Sequence, residues 1–110
     1  MLDASHQPHD AGAAAAFELE ADRAAGWLAT ATETRLRDAL PPHADPRCIV
    51  YPRRGRMLVI WEDAGPGGAA IRTCWLELDP TPDSPSAHAD RLTREALDAI
   101  AAVADLNREG

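Results

Sequence analysis

The chain has 110 residues, which is one domain's length and leaves no room for two. Eighteen acidic residues face eleven basic ones, for a formal charge of −7; that field repels phosphate backbones and anionic lipid and argues against nucleic acid or a membrane as partner. Hydrophobic residues make up 45% of the chain, but Ala supplies much of this, so the one Phe, one Tyr, three Trp and two Met weigh heavily in any core.

Residues 1–11 mix Asp, His, Gln, Pro and Gly without periodicity and read as a disordered tail. The remainder, 12–110, reads as a single α+β domain. The start from Met1 to His6 has neither the basic run nor the apolar run of a secretory leader. No stretch approaches the ~18 apolar residues of a spanning helix. The expectation is a cytoplasmic protein with two free thiols, Cys48 and Cys74.

Phe17, Ala21, Ala24, Leu28, Thr32, Leu36 and Leu40 recur every three or four residues and predict a helix over 12–40. Glu18, Glu20 and Asp22 lie toward its start and Arg35 and Arg37 near its end, as the helix dipole favours. Pro41-Pro42 stops it.

Three strand candidates follow: 48–51, 57–62 and 71–78. Pro52-Arg53-Arg54-Gly55 has the chemistry of a tight hairpin turn, and Gly65-Pro66-Gly67-Gly68 that of a looser connection. Asp79 to Ser84 reads as a loop, with Ser84 or Ser86 as a cap and Pro85 suited to a first turn. Leu92, Ala96, Ile100, Val103 and Leu106 then mark a helix over 86–107. The fold expected is a two-layer α+β domain. A three-stranded antiparallel meander is flanked by an N-terminal and a C-terminal helix, in the order α-β-β-β-α.

Alternation splits each strand into two sets. A hairpin centred near Gly68 pairs Ile60 with Leu76 and Leu58 with Leu78 on one apolar face. The opposite face then carries Trp61 paired with Trp75, beside Met57 and Val59. Both faces of the sheet are thus apolar. Either the helices cover opposite faces, or they share one and leave Met57, Val59, Trp61 and Trp75 to bind a partner or a second copy. A slip of one residue swaps the faces.

The segment 47–56 holds Arg47, Arg53, Arg54 and Arg56 and no acid, so all eighteen acids lie elsewhere. A basic hairpin tip on an acidic body suits an acidic protein surface or a phosphate, or else is a solvated turn. Arg53, Arg54 and Arg56 join the candidate partner-binding set. His6 and His9, with Asp3 and Asp10, have ligand chemistry but sit on a tail that cannot hold four ligands, so no metal or cofactor is expected. Ser5, Ser84 and Ser86 lie in no nucleophile motif, and Glu62 and Asp63, adjacent on a strand, point to opposite faces. No catalytic residue is assigned.

The α-β-β-β-α order over 13–107 resembles that of small ring-forming tail subunits of bacteriophages; the resemblance is one of topology and implies self-assembly. Small acidic immunity proteins, secretion chaperones and inhibitors share the composition. The functional expectation is a non-catalytic interaction module, whether adaptor, inhibitor or accessory subunit, whose partner is another protein. A self-assembling structural subunit and a small enzyme are the alternatives.

Overall fold

The computed structural model describes the backbone of residues 2–65 and 67–109 and the side chains of residues 20–65 and 67–106. The elements are α1 (Leu2–Ala39), a 3-10 turn (Pro42–Ala44), β1 (Arg47–Tyr51), a second 3-10 turn (Pro52–Arg54), β2 (Arg56–Gly65), β3 (Gly68–Glu77) and α2 (Pro85–Glu109). The expected α-β-β-β-α order is the order found, and the sheet is an antiparallel meander, β1-β2-β3. The tail expected over 1–11, with its His6 and His9, lies outside the described side chains.

Local chemistry accounts for the element ends. The Leu40 N–H still donates to the Leu36 carbonyl at 2.9 Å, but Pro41 and Pro42 offer no donor and α1 stops. At the start of α2, the Ser84 hydroxyl oxygen accepts from the Ala87 N–H at 3.0 Å and its carbonyl accepts from the His88 N–H at 3.0 Å. That is N-cap geometry, with Pro85 at the first helical position, where its missing donor costs nothing. The β1–β2 turn ends on Gly55 at φ 63°, a left-handed conformation that glycine adopts without strain.

One cluster forms the core. Leu28, Thr32 and Leu36, spaced by four on α1, are buried with Ala89, Leu92 and Ala96 of α2. They pack on Cys48, Met57, Val59, Trp61 and Leu76 of the sheet. Both helices therefore lie on the same side of the sheet, and the domain has two layers. Arg35 ties them together: its Nε donates to Asp90 at 2.8 Å and its Nη2 to Ser86 at 3.3 Å.

The β2–β3 register corrects the sequence reading. Gly65 pairs with Gly68, so the Gly and Ala arms of the hairpin are strand. Leu76 pairs with Met57, and Trp75 with Leu58; Trp61 faces Arg72 instead of Trp75. The pairing is displaced by three residues, and an odd displacement exchanges the faces of one strand relative to the other. Met57, Val59 and Trp61 are consequently core, at 0%, 0% and 2% exposure, and none of the three is on the sheet's outer surface. Trp75 keeps its expected place on the outward face.

Candidate docking surface

With both helices on one side, the opposite side of the sheet is uncovered by the described residues. Its central row is Ile49, Leu58 and Trp75, one from each strand in register. Next to it lies the row Arg47, Ile60 and Thr73, and beyond that Glu62 and Ile71. On the other side of the central row stand Tyr51, Arg56 and Glu77. Ile49, Trp75 and Ile71 are 41%, 48% and 64% exposed. Large apolar side chains gathered at such exposure on one sheet face mark an interaction surface more often than an ordinary solvated face.

Local contacts shape this surface. The Tyr51 and Trp75 rings meet at 5.6 Å between centroids with their planes 50° apart, a tilted arrangement that holds the indole against the sheet. Arg56 Nε lies 3.2 Å from Glu77 Oε1. Arg47, in register with Ile60, lies 3.5 Å from Asp45 and 4.0 Å from Glu33.

Of the residues singled out in the sequence, Trp75, Arg47 and Arg56 lie on this face. Arg53 and Arg54 are exposed in the turn at its end, beside the Tyr51–Arg56–Glu77 row. In the basic segment, Arg47 and Arg56 both have carboxylate partners. Sequence reasoning missed Ile49, Leu58, Ile60 and Tyr51 as surface residues. The usable signal was bulk: burying the Met57, Val59 and Trp61 set removes more apolar area than burying Leu58 and Ile60.

A second concavity, of about 340 Å³, opens between the middle of α1 and the loop before α2. Trp27, Leu28, Val50, Pro52, Leu78 and His88 line it. The His88 ring is buried, and its Nε2 accepts the Asp79 N–H at 3.0 Å. Nε2 is thus already engaged and offers no general base to the groove. Among the described residues, no three His, Cys, Asp or Glu side chains gather as a metal site.

Desolvation, with a lesser contribution from Arg91, holds the His88 pKa below its ordinary 6.5, against the opposing pull of Asp79 and Glu95. The unfolded chain therefore binds this proton first as pH falls. His88 contributes nothing adverse above about pH 6.5, and stability drains away as pH falls from there through the lower folded pKa. Urea unfolding at pH 7.5 and pH 5 is expected to show a greater acid loss for the wild type than for His88→Gln, which keeps an acceptor but does not titrate. Equal losses would rule the effect out.

The fold and this surface define a two-layer α+β domain with one open, apolar sheet face. No family model, curated protein or solved structure matches the chain. Among the described residues, no helix is long and apolar enough to cross a membrane.

Proposed function

We propose that the chain is a non-catalytic protein–protein interaction module, an adaptor, inhibitor or accessory subunit, whose open sheet face docks another protein chain. One observation carries the reading. Trp75 stands 48% exposed in a row with Ile49 and Leu58, on the side of the sheet away from both helices. Tryptophan is the residue most enriched at binding hot spots, and desolvating it releases a large apolar area. Arg53 and Arg54 at the end of the face supply forked donors for acidic groups on the rim of the docked chain. The free thiols at Cys48 and Cys74 agree with a reducing compartment, so a cytoplasmic setting belongs to the same proposal.

Photo-crosslinking from the face tests it. With p-benzoyl-phenylalanine in place of Trp75, irradiation of the native host is expected to give a covalent protein adduct. The same group in place of Asp98, exposed on α2, is expected to give none. No adduct at position 75, or equal adducts at both positions, overturns the reading.

A further inference from the structure

Resting on that reading, we propose that the chain docked on the open sheet face is a second copy of this protein, related by a two-fold axis that crosses β2 at Val59 at right angles to the strand. From Arg56 to Glu62 the outward side chains of β2 are Arg56, Leu58, Ile60 and Glu62, with Ala64 beyond them. The series is basic, apolar, apolar, acidic, and its centre is Val59, which points into the core.

Two copies meeting by the same face form an isologous contact about a two-fold axis in the plane between them. An axis running along β2 sets Arg56 over Arg56 and Glu62 over Glu62. The axis across β2 sets Arg56 of each copy over Glu62 of the other, twice, with Leu58 over Ile60 between them. Opposed like charges penalise the first arrangement and matched charges favour the second. No ion pair holds Glu62 among the described residues, and the Arg56 fork has donors to spare beyond its contact with Glu77.

The net charge of −7 makes distant copies repel. That repulsion is weakest at this face, where Arg47 and Arg56 stand with Glu62 and Glu77 amid apolar and hydroxyl side chains. Three strands by the seven-residue run from Arg56 to Glu62 give a footprint of roughly 14 by 20 Å. Paired with itself, such a patch buries on the order of 600 Å², below the ~1,200–2,000 Å² that stable interfaces bury. A weak, rapidly reversible dimer with a Kd on the order of 0.1–1 mM follows.

Sedimentation equilibrium on the purified protein, from micromolar to millimolar concentration, is the test. The wild type is expected to dimerise, and Trp75→Arg to stay monomeric with an unchanged far-UV circular dichroism spectrum. Glu62→Arg and Arg56→Glu are each expected to weaken dimerisation tenfold or more, since each opposes like charges. Mixed together, they restore opposite pairs at both sites and are expected to associate more tightly than either alone. Should Arg56→Glu not fold, Arg56→Gln mixed with Glu62→Gln regains one of the two pairs.

A wild type that stays monomeric, a dimer indifferent to Trp75→Arg, or a mixture no tighter than its components overturns the proposal. The crosslinking result keeps this separate from the underlying reading. An adduct at position 75 with a different protein sinks only the second copy, whereas no adduct at all sinks both.

Discussion

Trp61→Ala is expected to destabilise the fold by ~3–5 kcal/mol, while Trp75→Ala costs less than ~1 kcal/mol. The two indoles are three strand residues apart from the pairing that would have set them side by side, and they now lie on opposite faces. Trp61 is 2% exposed within the cluster of Leu28, Leu36, Met57, Val59 and Leu92. Cutting it to Ala leaves a void that close-packed neighbours cannot fill. Trp75 loses its ring contact with Tyr51 and the cover it gives the sheet, but opens no cavity. In a domain whose whole stability is ~5–15 kcal/mol, the first loss approaches unfolding. Differential scanning calorimetry reads the contrast: the Trp61→Ala midpoint should fall by more than ~10 °C and that of Trp75→Ala by only a few degrees. Comparable drops would mean that the faces have been assigned the wrong way round.

The elements with strong local chemistry were legible. Ser84 and Pro85 announced the start of α2, and Leu92 and Ala96 proved to be fully buried on its stripe. Leu28, Thr32 and Leu36 did the same for α1. Within β3, Cys74 and Leu76 face the core and Trp75 faces out, as alternation required. The register of β2 was not legible, for two physical reasons. Gly65, Gly68, Ala64 and Ala69 have little strand preference, yet they complete the ladder, with Gly65 in register with Gly68. And β2 is apolar on both sides, so the hydrophobic pattern that normally pins register was silent. The idea of an open apolar face survives this correction; its residues change from Met57, Val59 and Trp61 to Ile49, Leu58 and Ile60.

Cys48 is expected to react with thiol reagents at least ~10-fold more slowly in the folded protein than in the unfolded chain. Its thiol is buried on the core face of β1, and both it and Cys74 are in register with Val59 from opposite neighbouring strands. Desolvation, reinforced by Glu33 and Cys74 against the weaker pull of Arg37, pushes its pKa from 9.0 up to about 12. The thiolate is the nucleophile, so three decades of pKa become about three decades of reactive species at any pH below both values, of which the greater nucleophilicity of a more basic thiolate recovers up to about half. Burial pushes Cys74 up as well, but that residue is only partly covered and should label first. Peptide mapping after a timed pulse of iodoacetamide at pH 8 separates the two. Equal labelling of both would mean that β1 opens freely. The same shift makes a stability statement. Below pH 9 both folded and unfolded chains keep the Cys48 proton. Between about pH 9 and 12 the unfolded chain releases it first, so the unfolded state gains and the fold loses stability as pH rises. Cys48→Ala removes that alkaline loss, and denaturant titrations of wild type and variant should diverge above pH 9 with the wild type falling faster.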